Sequence, residues 1–156
     1  MHIHEGEFIA IVGPNGSGKT TLLKTLLGLH PLIAGAIHKE FKDVGYVPQH
    51  AQLNLSIPLT VEEFLKLKTR PNTENYAQLV QTLGLSEESI LKKPINQLST
   101  GQRQRLLVAF ALLGKPKLIC LDEATDGLDF KAQKEFFGLL KKIQLETKST
   151  VILISH

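Results

Sequence analysis

Apolar residues along this chain fall into two kinds of run, short unbroken stretches and longer stretches with helical spacing, and their alternation predicts the fold. Phe8 to Val12 is a continuous apolar stretch ending in a glycine-rich turn, which reads as a buried strand. Lys19 to Leu29 then carries leucines at 22, 23, 26 and 27, one face of a helix, with Gly28 placed to end it. Ala36 to Ile37 and Val44 to Val47 are candidate short strands on either side of a turn. The character changes after Pro48, where a polar loop leads into Thr60-Val61-Glu62-Glu63, the spacing of a capping box, and a helix to about Lys68. Asn75 to Leu83 and Ser99 to Leu113 read as two more amphipathic helices, and Ser99 with Gln102 repeats the capping-box spacing. Beyond Lys115-Pro116 the β pattern returns in Leu118 to Leu121 and in Thr150 to Ile154, separated by a helix from about Phe130 to Glu146. Unbroken apolar strands alternating with helices predict an α/β fold whose parallel sheet is covered on both faces. The expected organisation is one domain, with residues 1–49 and 115–156 as an α/β core and 50–114 as a helical insert.

Composition narrows the class without choosing the function. The chain has 156 residues, 42% hydrophobic and 21% charged, enough for one good core. Its 18 Lys plus Arg against 15 Asp plus Glu are spread without a basic block, so no nucleic-acid-binding tail is expected. The single cysteine, Cys120, sits in an apolar run and reads as a core filler in a reducing compartment. Runs such as Leu106 to Leu113 fall far short of the roughly 20 residues that span a bilayer, so work at a membrane would need a partner to hold the chain there. The scattered histidines, His2-x-His4 included, read as solvated side chains rather than as metal ligands.

Chemistry enters at Gly13-Pro14-Asn15-Gly16-Ser17-Gly18-Lys19-Thr20, followed by Thr21. It matches G-x-x-x-x-G-K-[ST] at every fixed position, directly after a strand and opening a helix. Such a loop turns backbone N–H groups inward at a helix N-terminus, where partial positive charge favours phosphate. Lys19 is then expected to reach the β and γ phosphates and Thr20 to ligate magnesium. Leu118-Ile119-Cys120-Leu121-Asp122-Glu123 ends an apolar strand in adjacent carboxylates at the sheet edge where open α/β sheets bind ligands. Neighbouring side chains of a strand point to opposite sides, which frees Asp122 for the magnesium shell and Glu123 for the attacking water.

Leu98-Ser99-Thr100-Gly101-Gln102 is more than a phosphate loop needs, and it resembles the ABC ATPase signature Leu-Ser-Gly-Gly-Gln, with Thr100 in place of the first glycine. Ser99 and the N–H groups of the helix that starts there would form a second anion site with Gly101 and Gln102. Gln49 in Tyr46-Val47-Pro48-Gln49 resembles the Q-loop glutamine, Asp126-Gly127-Leu128-Asp129 the D-loop, and His156 the switch histidine, all in the family's order. Ala124 stands where most relatives have proline. The stretch Tyr46 to His50, with Ile57-Pro58-Leu59-Thr60-Val61 after it, is most similar to the ATP-binding subunits of zinc and manganese importers.

The resemblance implies an ABC-type P-loop ATPase with ATP and Mg2+ as cofactors. Two subunits would pack head to tail, each ATP lying between one phosphate loop and the other subunit's signature. Glu123 would be the general base, Gln49 would sense magnesium and couple to an integral membrane permease, His156 would contact the γ-phosphate, and Asp129 would touch the opposite subunit. The resemblance places the chain on the inner face of the cell membrane through the permease, docked by its helical insert. Relatives carry an earlier strand pair with an adenine-stacking aromatic and further elements after the switch histidine, so the chain is expected to be shortened at both ends. The competing readings are a soluble ABC ATPase of translation or DNA repair, which would bring nucleic acid with it, and a nucleotide-binding fragment without turnover.

Overall fold

The computed structural model describes residues 2–41, 43–49, 58–68, 75–85 and 89–155. Its strands are β1 (Phe8–Val12), β2 (Val44–Val47), β3 (Leu118–Asp122) and β4 (Thr150–Ser155), and its helices α1 (Lys19–Leu27), α2 (Val61–Lys66), α3 (Tyr76–Thr82), α4 (Thr100–Leu112) and α5 (Phe130–Thr147). The strands form one parallel sheet in the order β1-β4-β3-β2. With every strand parallel, all their carboxyl ends emerge along one edge. That edge receives Gly13 from β1, Gln49 from β2 and the Asp122-Glu123 pair from β3.

Register assigns the side chains to two faces. Ile9 pairs with Ile152, Ile11 with Ile154 and Tyr46 with Cys120, so these residues, with Leu118 and Asp122, share one face. Helix α1 covers that face through Leu23, which is completely buried beside Cys120, Ile152 and Ile154. Burial of one such leucine is worth about 1.5–3 kcal/mol, which fastens the start of α1 to the sheet. The other face carries Val47, Ile119, Leu121, Val151 and Leu153, and packs with Leu106, Val108, Phe136 and Leu140 of α4 and α5 into the larger core. Coverage thins at the edge strand, where Ala10 and Val12 stay exposed on this second face.

Between β2 and β3 the described residues hold helices α2, α3 and α4 with two short 3-10 turns, Ile90–Lys92 and Ile95–Gln97. The capping boxes expected at Thr60/Glu63 and Ser99/Gln102 are both formed. Helix α2 grips α4 through the Phe64 and Phe110 rings, with centroids 4.8 Å apart. Lys68 adds hydrogen bonds to the Phe110 and Ala111 carbonyls at 2.9 and 3.0 Å. Helix α4 crosses β2 so closely that a Cβ on Gly45 would collide with the Ala111 carbonyl oxygen, which makes glycine a packing requirement there.

Most predicted elements recur with ends moved by one or two residues. Gly28 stops α1 in the left-handed conformation, its N–H and that of Leu29 closing on Thr25 and Lys24 carbonyls. The exception is Ala36 to Ile37, which forms no strand. Ala36 is exposed, and a two-residue run with no neighbouring strand among the described residues has no ladder to join. No described helix is long and apolar enough to cross a membrane.

Candidate functional site

The loop from Gly13 to Gly18 turns through glycines. Gly16 (φ 77°) and Gly18 (φ 87°) are left-handed, and a Cβ on either would meet open space, so backbone conformation alone calls for glycine. Gly18 caps α1 without a side chain, leaving the first N–H groups of the helix to an incoming anion. Lys19 is buried and folds back over the loop, donating from Nζ to the carbonyls of Gly13 (2.8 Å) and Pro14 (2.9 Å). These bonds hold the ammonium at the mouth of the loop.

Thr20, one position further along α1, donates from Oγ1 to Oδ1 of Asp122 at 2.9 Å, joining the phosphate loop to the end of β3. Asp122 is completely buried, and its Oδ2 has no hydrogen-bond partner among the described residues. A buried carboxylate whose Oδ1 lies beside a hydroxyl is chemically suited to a hard divalent cation, and Gln49, which lines the same cleft as Thr20, carries a side-chain oxygen of the same kind. Tyr46 reaches toward the same place from β2. Burial above all, then the negative charge of Asp122, the Cys120 thiol and the approach of the phenol to the Asp122 carboxyl as a hydrogen-bond partner, push its phenol up to about 12, yet the hydroxyl makes no well-aligned hydrogen bond among the described residues.

Glu123 leaves the strand in a left-handed backbone (φ 53°), which is costly for a residue with a Cβ, and its N–H closes on Ile154 O at 3.2 Å. Strand alternation was the expected reason for Asp122 and Glu123 to diverge. The divergence comes instead from this turn, which begins at Glu123. The Gln49 side-chain amide donates closely to Glu123 Oε2, so a residue two positions beyond β2 and the residue after β3 meet. Asn15, Gly16, Gly18, Lys19, Thr20, Thr21, Gln49 and Glu123 together line an open cleft of about 250 Å3. A larger groove of about 360 Å3, lined by Gln78, Leu112, Pro116, Ile143 and Glu146, lies where β3 and β4 begin and shares no residue with this chemistry.

Ser99, Gly101 and Gln102 do not line the cleft. Ser99 caps α4, its Oγ accepting from Gln102 N at 3.2 Å while Gln102 Oε1 accepts from Ser99 N at 3.0 Å. The box uses those two N–H groups and leaves the Thr100 and Gly101 N–H groups without intrahelical acceptors. Thr100 is exposed, and its Oγ1 accepts from Arg103 at 3.4 Å. Gly101 faces Leu128, to which an added Cβ would come within 3.8 Å. Asp129 caps α5, with Oδ1 accepting from Ala132 N at 2.8 Å. His156 lies outside the described residues, directly after β4. Sequence reasoning passed over Tyr46 except as part of a motif; its signal was period-two placement, opposite Cys120 and on the face of Asp122.

The ABC transporter family model matches residues 1–126. The zinc import ATP-binding protein ZnuC 2 of Aliivibrio fischeri is 42% identical to this chain, the alignment covering 100% of it and 64% of the relative. The zinc import ATP-binding protein ZnuC of Haemophilus influenzae is 41% identical, with coverage of 100% and 58%. The chain therefore spans about three fifths of the length of these curated relatives. Among solved structures, a metal-chelate type ABC transporter in an inward-facing conformation superposes with a TM-score of 0.84 at 30% identity, over 99% of this chain and 64% of that one. A dimeric bacterial ABC transporter cassette gives 0.80 at 31%, over 100% and 77%. With its parallel sheet, phosphate loop and matching family model, the α/β P-loop chain belongs to the ABC transporter family.

Proposed function

We propose that this chain is the ATP-hydrolysing part of an ABC importer and that the transported solute is zinc. The observation that carries the reading is the meeting of Lys19, Thr20, Asp122, Glu123 and Gln49 at one sheet edge. The names of the zinc-import relatives supply the solute. Triphosphate enters against the N–H groups of Gly16 to Thr20, and Lys19 exchanges the Gly13 and Pro14 carbonyls for the β and γ phosphates. Thr20, Asp122 and Gln49 are the residues that would hold magnesium, which when bound neutralises phosphate charge. Glu123 takes the proton of the attacking water once Gln49 has released its carboxylate, and His156 would reach the γ-phosphate from the end of β4.

The second anion site, Ser99 with Gly101 and Gln102, lies away from this cleft, which supports a head-to-tail homodimer where each signature completes the partner's site. In this reading residues 50–114 act as the helical subdomain that meets the permease, residues 1–49 and 115–156 act as the P-loop core, and the protein sits peripherally on the inner face of the membrane without nucleic acid. The full-length protein, reconstituted with its permease in vesicles, is expected to release phosphate and take up zinc together, and Glu123→Gln to stop both. Phosphate release that never couples to zinc uptake in the vesicles, or co-purifying nucleic acid, would return the chain to the soluble ATPases.

A further inference from the structure

Strand β2 pairs with β3 so that Tyr46 stands opposite Cys120, and Asp122 follows Cys120 by two positions. Tyr46 and Asp122 therefore share a face and are diagonal neighbours, a separation that an aromatic side chain can bridge. Around the Tyr46 ring the face is apolar: Leu23, Leu118, Ile152 and Ile154 belong to the same cluster, with the Cys120 thiol as its weakly polar member. Into that setting the protein places a buried phenolic hydroxyl, and beside it a buried carboxylate oxygen, Asp122 Oδ2, neither with a hydrogen-bond partner among the described residues. The other oxygen, Oδ1, is already taken by Thr20. Buried polar atoms are rarely left unsatisfied, and two complementary orphans side by side mark a bond that forms on a small movement.

We infer that Tyr46 is a positioning residue of the metal subsite, its hydroxyl donating to Asp122 Oδ2 and fixing the rotation of the carboxylate so that Oδ1 stays beside Thr20. This rests on the reading of Thr20 and Asp122 as the magnesium-side residues of the nucleotide site. The β2 segment then addresses both acids: Tyr46 within the strand steadies Asp122 at the end of β3, and Gln49 beyond it holds Glu123. Loss of an outer partner that orients a metal-binding carboxylate typically weakens metal affinity about tenfold to a hundredfold.

The test uses Tyr46→Phe in the full-length protein, with ADP binding titrated against magnesium. The expected result is a rise of about tenfold or more in the half-saturating magnesium concentration, with magnesium-free ADP affinity unchanged. In an Asp122→Asn background the same substitution should add nothing. A second readout needs no nucleotide: in a Tyr76→Phe background, the emission lost on adding Tyr46→Phe isolates the Tyr46 signal, whatever other fluorophores the full-length protein holds. Asp122→Asn should brighten it by removing a carboxylate acceptor that quenches phenol fluorescence. Equal magnesium dependence in parent and Tyr46→Phe, or a loss of ADP binding that ignores magnesium, overturns the inference. A parent protein whose ADP binding ignores magnesium overturns the site reading instead, while the fluorescence arm still decides the Tyr46–Asp122 contact.

Discussion

Glu123→Gln separates chemistry from binding, and its consequences can be worked from the contacts. The substitution keeps the size of the side chain and an oxygen for Gln49 to donate to, but removes the carboxylate that would accept a proton. General-base loss costs about a hundredfold to ten-thousandfold in rate. Exchanging a charge-assisted hydrogen bond for a neutral one should lower folding stability by about 1 kcal/mol. Glu123→Gly gives the control. It deletes the base and the Gln49 contact, and it also removes the left-handed strain at φ 53°, worth about 1–2 kcal/mol. The two stability effects nearly offset, so the glycine variant should unfold within about 1 kcal/mol of the parent while hydrolysing no faster than the glutamine variant. The assay is phosphate release by the full-length protein, alongside ATP titration and urea unfolding. ATP should bind both variants at parental affinity, since Lys19 and the loop N–H groups are untouched. Hydrolysis at the parent rate by Glu123→Gln would refute the base assignment. A glycine variant destabilised by several kcal/mol would refute the strain argument.

Three further outcomes are expected. Lys19→Ala should weaken ATP binding about tenfold to a hundredfold by titration with magnesium present, because a charge-assisted phosphate contact is lost; unchanged affinity would refute the phosphate-loop assignment. Gly45→Ala should destabilise by about 1–3 kcal/mol in urea unfolding, because its methyl group meets the Ala111 carbonyl and α4 must shift. Stability should fall in alkali: burial pushes the Cys120 thiol up to about 12, so the folded chain keeps a proton that the unfolded chain releases near its ordinary value. That contribution is complete below about pH 8.5 and fades as the pH rises toward 12, and Cys120→Ala should flatten the upper slope of urea midpoint against pH, whatever its midpoint at neutral pH.

Much of this was legible because local chemistry and fold agree. The leucine spacing of α1, the capping residues Thr60 and Ser99 and the glycines at 16, 18 and 28 each specify one backbone outcome, and those outcomes recur. What was not legible depends on partners distant in sequence. Ala36 to Ile37 is apolar enough for a strand, but pairing is a property of two segments and the second is not supplied by the described residues. Gly45 reads as a weak point in a strand until α4 is seen crossing it. The left-handed turn at Glu123 has no sequence mark, since glutamate rarely adopts that conformation and nothing nearby announces it.

Parallel pairing explains why the remaining site residues could be named before they could be placed. Each strand points its carboxyl end the same way, so any polar residue that follows an apolar run arrives at the same edge whatever its distance along the chain. Thr20 and Asp122 touch across 102 positions, and Gln49 and Glu123 across 74. A sequence reading can therefore collect the residues that end strands, as it did for Gln49, Asp122 and Glu123. It cannot say which of them touch, because contact depends on strand order: β2 lies beside β3, and β1 is separated from β3 by β4. That order puts Gln49 and Tyr46 next to the paired acids, and it leaves Thr20 to reach Asp122 from α1 on the covered face. The signature follows a different rule, since it begins a helix in the insert and joins no strand end. In the proposed function its place in catalysis comes from a second copy, and an ATP-dependent dimer of the full-length Glu123→Gln variant, seen by light scattering, is the outcome that checks it.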